Sequence, residues 1–103
     1  PKLFGFGLAQ FATTSQTRVV GGDWRCQAPE TFYDEPEPPT PGQDMYAFGC
    51  LVFFAATGRA PFSSTQGSDF GAVLRAVESC DPGWSDHHPS ADVFMRSLSQ
   101  RCM

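Results

Sequence analysis

Lysine is almost absent from this chain. Lys2 is the only one in 103 residues, the six arginines are scattered, and the net charge is −4. A protein that tracks a phosphate backbone needs clustered Lys and Arg, so a nucleic-acid partner is disfavoured and none is expected. Long hydrophobic runs are also missing. The longest apolar stretch covers residues 45–57 and is broken by Gly49. That is too short to span a bilayer and reads as a core helix, so no membrane partner is expected. The N-terminal residues hold no apolar run of signal-peptide length. None of the four cysteines, Cys26, Cys50, Cys80 and Cys102, forms a C-x-x-C pair. A zinc site and a thioredoxin-like site are therefore not written here. An even cysteine count permits disulfides, but Cys50 sits inside the apolar stretch, where a reduced buried thiol is the simpler assignment. An intracellular, cytoplasmic location follows as the expectation.

What the chain does have is phenylalanine, ten of them, together with two Trp and two Tyr. So many aromatics need burying, which argues against disorder, and the length allows one domain at most. Ten glycines and nine prolines punctuate it.

Leu3 and Phe4 could close a short strand before Gly5-Phe6-Gly7 breaks the pattern. Residues 8–22 are small, polar and Thr-rich, a loop composition. Ala28-Pro29-Glu30 is able to open a helical turn, because Pro suits a first helical position. Residues 31–43 hold four prolines and three acids and read as an exposed loop. At Asp44 the character changes. Asp44 is a candidate N-cap, and Met45, Phe48, Leu51, Val52, Phe53, Ala55 and Ala56 surround the helix behind it. A helix apolar all round belongs in the middle of a fold. Gly58 is placed to terminate it. Asp69 would cap a second helix with Phe70, Val73, Leu74 and Val77 at i, i+3, i+4 and i+7. Residues 81–89 read as a polar turn. Ser90 would cap a third helix carrying Ala91, Met95, Leu98 and Cys102 on one face. The fold class is mainly α, with a short strand and a long loop.

Several motifs occur in a telling order. K-L-F-G-F-G-L-A at residues 2–9 resembles the opening of a protein-kinase activation segment, K-L-x-D-F-G-L-A. Ala28-Pro29-Glu30 is similar to the A-P-E that closes it. Asp44, 14 residues beyond Glu30, begins D-M-Y-A-F-G, which resembles the D-x-Y-x-F-G of the family's central helix. Thr57-Gly58-Arg59-Ala60-Pro61-Phe62 is similar to its T-G-x-x-P-F ending, and Ser99-Gln100-Arg101-Cys102 to part of a late helix. The Tyr-x-Phe-Gly variant is most similar to tyrosine-kinase-like and tyrosine kinases. The resemblance implies a partial protein-kinase-like fold: an activation segment at 1–30, an acidic Pro-rich loop at 31–43 and the helical C-terminal lobe at 44–103.

The family transfers the γ-phosphate of ATP to a protein hydroxyl with Mg bound. The resemblance also implies which parts of that machinery these residues do not contain: the Gly-rich phosphate loop, the strand lysine and the H-R-D loop. Gly5 stands where the family has its metal-binding Asp and offers a cation no carboxylate. Phe6 and Gly7 remain for packing and backbone geometry. Asp23 replaces a small residue, usually Thr, and would repel a catalytic Asp. Cys26 replaces an aromatic. No catalytic or metal residue and no cofactor are therefore assigned to the chain itself. The runner-up is a pseudokinase-type module that binds a protein partner through the helix surface at 70–77 and the acidic loop. The missing part of a kinase domain is another candidate partner. An unrelated small helical protein is the third reading.

Under the resemblance, Thr13, Thr14, Ser15 and Thr17 are possible phosphosites of an activation loop, with a solvated loop as the alternative. Asp44 becomes a structural anchor for neighbouring backbone N–H groups. A metal at His87-His88 with Cys80 fits no common spacing, so a solvated turn is preferred. The Glu35-Pro36-Glu37-Pro38-Pro39 run reads as a loop kept soluble by its acids rather than a polyproline ligand.

Overall fold

The computed structural model describes residues 1–9, 22–33, 38–65, 70–84 and 93–103. Its elements are single helical turns at Phe6–Leu8, Trp24–Cys26 and Pro29–Phe32, followed by α1 (Pro41–Thr57), α2 (Phe70–Glu78) and α3 (Val93–Cys102). The fold is mainly helical, with no strand among the described residues. The strand expected at Leu3 and Phe4 is absent. Both side chains are exposed, and a strand without a neighbour to pair its backbone has nothing to hold it.

Helix α1 starts earlier than the polar composition of residues 31–43 suggested. Thr40 is the N-cap, extended at ψ 153°, and Pro41 occupies the first turn. Proline fits there because its missing N–H would have no helical partner anyway. Gln43 closes the start: its side-chain oxygen accepts from the Thr40 N–H at 3.4 Å, and its own N–H donates to the Thr40 carbonyl at 3.1 Å. Asp44 is therefore not the cap. It is an exposed first-turn residue whose carboxylate meets no donor among the described residues, although its charge suits the positive end of the helix. The C-terminus matches expectation. Gly58 takes φ 69°, a left-handed conformation suited to glycine, and its N–H donates to the Phe54 carbonyl at 2.7 Å. The Thr57 hydroxyl donates to the Phe53 carbonyl at 2.8 Å and accepts from the Arg59 N–H at 3.1 Å.

The all-round apolar character of α1 does not translate into all-round burial. Tyr46, Gly49, Cys50, Val52 and Phe53 face inward, whereas Met45, Phe48, Leu51 and Phe54 are about half exposed. The inward set repeats at i, i+3, i+4 and i+7, the stripe of a helix covered on one side. No described element covers the other side.

Helix α3 crosses α1 at Gly49. Ser99 is fully buried, and its hydroxyl donates to the Gly49 carbonyl at 2.9 Å. A Cβ placed on Gly49 would lie 2.9 Å from the Ser99 carbonyl oxygen and 2.6 Å from the Met103 Cγ. Glycine is what lets the two backbones approach this closely. On α2, Val73 and Val77 are buried against α1 and the turn at Pro29–Phe32. That face is core, so the surface at 70–77 is not free to receive a partner through these residues. Of the expected polar turn at 81–89, residues 85–89 lie outside the described residues, and 81–84 are not simply polar. The Asp81 carboxylate accepts from the N–H groups of Gly83 and Trp84, both at 3.0 Å. This local loop delivers Pro82 and Trp84 to the interior. There Trp84 meets Phe53 edge to face, ring centres 4.9 Å apart. Among the described residues, no helix is long and apolar enough to cross a membrane. The caps expected at Asp69 and Ser90 lie outside the described residues.

Candidate functional site

Three of the motifs singled out in the sequence, represented by Ala28, Tyr46 and Phe62, converge on one side of α1. Ala28 is buried in the same cluster as Tyr46, Cys50, Phe62, Val73 and Val77. Its backbone is extended, and its carbonyl accepts both the Thr31 N–H at 3.0 Å and the Thr31 hydroxyl at 2.7 Å. Pro29 begins the turn and Glu30 follows in its first turn, where an acid is favoured. The Glu30 carboxylate has no ion-pair partner among the described residues. The end of this turn is tied to α2 by Tyr33, whose phenol donates to the Glu78 carboxylate at 2.7 Å. That hydrogen bond, and the charge of Glu78 itself, push the phenol above its ordinary pKa.

Phe62, the last residue of the T-G-x-x-P-F motif, enters the same cluster. It is buried in a left-handed conformation, φ 55°, with its N–H donating to the Pro82 carbonyl at 2.9 Å. A bulky residue at positive φ is strained, so the surrounding contacts must hold it there. Tyr46 stands at the centre, and its hydroxyl donates to the Val77 carbonyl at 3.4 Å. Burial, then the neighbouring cysteines and Glu30, raise its phenol far above the usual range. It is a structural donor and not a proton carrier.

Asp23 has a local role that sequence reasoning missed. Its carboxylate caps the turn at Trp24–Cys26, accepting from the Arg25 N–H at 3.1 Å and pairing with the Arg25 guanidinium at 3.2 Å. That guanidinium lies 4.6 Å from the centre of the Trp24 ring. Cys26 ends the turn and packs against the cluster beside Cys50. The Cys50 thiol donates to the Arg25 carbonyl at 3.4 Å, and when Cys26 ionises the same thiol is near enough to donate to its sulfur instead. That second bond holds Cys26 down at about 7, against an ordinary thiol value of 9.0. Burial and Asp23 oppose the shift, and Arg25 assists it. The partner moves the other way, since Cys50 keeps its proton to donate to the Cys26 thiolate and is raised further by its own burial. Alkylation of Cys26 by iodoacetamide is therefore expected to be half-maximal near pH 7, falling about tenfold for each unit below it. A midpoint at the ordinary thiol value would mean that the two sulfurs do not meet.

The N-terminal motif stands apart. Gly5 adopts φ 86° and ψ 32°, left-handed, with nothing within 4 Å of a Cβ placed on it. It opens the turn at Phe6–Leu8, closed by the Ala9 N–H on the Phe6 carbonyl at 3.0 Å. The packing role expected of Phe6 is not found, because its ring is largely exposed. Gly7 keeps the backbone role, inside that turn. Thr13, Thr14, Ser15 and Thr17 lie outside the described residues, as do Glu35, Pro36, Glu37, His87 and His88. Among the described residues, no cluster of His, Cys, Asp or Glu could hold a metal ion.

Similarity to known proteins agrees with the order of these motifs. The serine/threonine-protein kinase PknK of Mycobacterium tuberculosis is 36% identical over 69 residues, covering 65% of this chain. The cysteine-rich receptor-like protein kinase 10 of Oryza sativa subsp. japonica is 32% identical over 111 aligned positions, covering 91%. These relatives are protein kinases. The chain spans only 6% of the first and 16% of the second. No family profile and no solved structure matches it. The kinase relationship is thus carried by partial similarity and by motif order.

Proposed function

We propose that this chain is a section of a protein-kinase-like domain, comprising the end of an activation segment and the helical lobe it rests on. The observation that carries the reading is the seating of Ala28-Pro29-Glu30 on α1. Ala28 shares one buried cluster with Tyr46 of the D-x-Y-x-F-G motif and Phe62 of the T-G-x-x-P-F motif. Separate surface loops would not need these three motifs to share a core. In a complete domain of this kind the activity is transfer of the ATP γ-phosphate to a Ser, Thr or Tyr hydroxyl, with Mg as the metal. Kinase catalysis is positioning and charge stabilisation. These residues hold no phosphate loop, no strand lysine and no H-R-D loop, and Gly5 provides no carboxylate for a cation. On this reading the chain by itself neither binds Mg-ATP nor transfers phosphate.

Titration of the chain with Mg-ATP in a calorimeter should give no saturable signal in the micromolar range. A saturable micromolar site would overturn the inert reading. The exposed row Met45, Phe48, Leu51 and Phe54 on α1 supports a further part of the proposal, that another surface covers this face in the functional protein. In the first reading that surface is the rest of a kinase domain. In the second, a pseudokinase-type module, it is a separate protein. Either way the isolated chain should be oligomeric or only marginally folded. A monomer by light scattering, with a sharp thermal transition and slow hydrogen exchange throughout α1, would refute both.

A further inference from the structure

Of the four free cysteines, two lie in the same part of the fold. Cys26 ends the turn at Trp24–Cys26 and is partly exposed, while Cys50 on α1 is shut away from solvent. The Cys50 sulfur lies 3.4 Å from the oxygen of the peptide bond that leads into Cys26. Both side chains belong to one packed cluster. The other two are engaged elsewhere. The Cys80 thiol donates to the Met103 carbonyl at 3.5 Å, and Cys102 sits on α3 near Gly49. A sulfur seated against the peptide bond that leads into the other cysteine is near enough for a disulfide to be tested without large backbone movement.

We propose that Cys26 and Cys50 form a peroxide-responsive pair, in which Cys26 is the sulfur attacked first and Cys50 closes a disulfide onto it. Exposure sets the order. Hydrogen peroxide reaches Cys26 but not Cys50, and the thiolate is the reacting form. The lowered pKa of Cys26 supplies that thiolate near neutrality. In the first step the Cys26 sulfur bonds one peroxide oxygen and the O–O bond breaks. Hydroxide leaves, takes up a proton and becomes water, and Cys26 is a sulfenic acid. In the second step the Cys50 sulfur attacks the Cys26 sulfur, the S–S bond forms and the S–O bond breaks. The departing hydroxyl leaves as water with the proton from Cys50. Two electrons pass from the sulfurs to the peroxide, and the sum is two thiols and one peroxide giving a disulfide and two waters. A dithiol reductant reverses the outcome. The bond would tie the segment just before Ala28-Pro29-Glu30 covalently to α1, so oxidation would lock the docking of that turn.

The test uses the full chain, treated with hydrogen peroxide, capped with iodoacetamide and analysed by intact mass and peptide mapping. The expected result is loss of two hydrogen atoms, one cross-linked peptide pair containing Cys26 and Cys50, and full reversal by dithiothreitol. Cys80→Ser and Cys102→Ser variants should behave like the parent. Cys50→Ser should leave a sulfenic acid at Cys26 that dimedone captures. If that variant fails to fold, the peptide map of the parent decides alone. A disulfide to Cys80 or Cys102, a bond only between molecules, or Cys26 overoxidised while Cys50 remains a free thiol would each overturn the proposal.

Discussion

Truncating Phe53 to alanine should lower the stability of the fold by about 3–5 kcal/mol, which approaches the whole stability of a small domain. Phe53 is 2% exposed, and its ring stands edge to face with Trp84 at 4.9 Å and 86°. The deletion removes its transfer energy and leaves a cavity against an indole whose buried Nε1 has no hydrogen-bond partner among the described residues. Little can collapse into the gap, since Trp84 is held from below by the Asp81 loop. Phe48 on the same helix is the control. It is 46% exposed, so Phe48→Ala forfeits only part of a transfer term, about 1 kcal/mol. Urea or thermal unfolding of the two variants should therefore separate widely. Equal losses would mean that α1 is buried on both faces and that its orientation here is wrong.

The second large effect concerns Gly49→Ala, and its sign is the interesting part. In an exposed helix interior the change would stabilise by about 1 kcal/mol, because glycine has more backbone freedom to lose. Here the new Cβ meets the Ser99 carbonyl oxygen at 2.9 Å, the Cys102 Cβ at 3.1 Å and the Met103 Cγ at 2.6 Å. The Met103 contact is with a flexible side chain that can swing away. The Ser99 carbonyl belongs to the backbone of α3 and moves only with the helix. Overpacking costs roughly 1–3 kcal/mol, and parting the helices also weakens the buried Ser99–Gly49 hydrogen bond, worth about 1 kcal/mol. The net is a loss of about 2 kcal/mol by these magnitudes. Gly42→Ala, in the first turn of α1, should behave in the opposite way. Its Cβ would meet only the Thr40 hydroxyl at 3.5 Å, an ordinary contact, so the helix-propensity gain of up to about 1 kcal/mol should survive. If both alanines stabilise, α1 and α3 do not touch at Gly49.

Much of the helical frame was legible from residue type and spacing. Gly58 ends α1 because only a residue tolerant of positive φ can close that turn, and the i, i+3, i+4, i+7 pattern of Phe70, Val73, Leu74 and Val77 placed α2. The start of α1 was misjudged because Asp44 is a good capping residue in isolation. Thr40-Pro41 with Gln43 is a better start, and the prolines around it disguised it as loop. The acid at Asp23 was read through its effect on distant chemistry, although its work is to cap the adjacent turn. At the candidate site, Ala28-Pro29-Glu30 and Phe62 were found by motif, while the contact between Cys26 and Cys50 had no sequence signal. Residues that far apart carry no mark of meeting.

The sequence by itself determined that this is a mainly helical chain with a net charge of −4, and that its motifs occur in an order that resembles protein kinases. Those properties depend on composition, local backbone preference and spacing, which are all present in the linear chain. Tertiary structure alone decided which side of the apolar α1 is covered, because that depends on where α3 and the turn at Pro29–Phe32 come to rest. It also decided that a serine and a glycine carry the α1–α3 crossing. Small residues give no hydrophobic signal, yet at Gly49 and Ser99 their smallness is what allows two backbones within hydrogen-bonding reach. Polar-looking residues 81–84 entered the core for a similar reason: the Asp81 carboxylate satisfies the backbone of the turn, so Trp84 can be buried at no cost in unpaired main-chain groups.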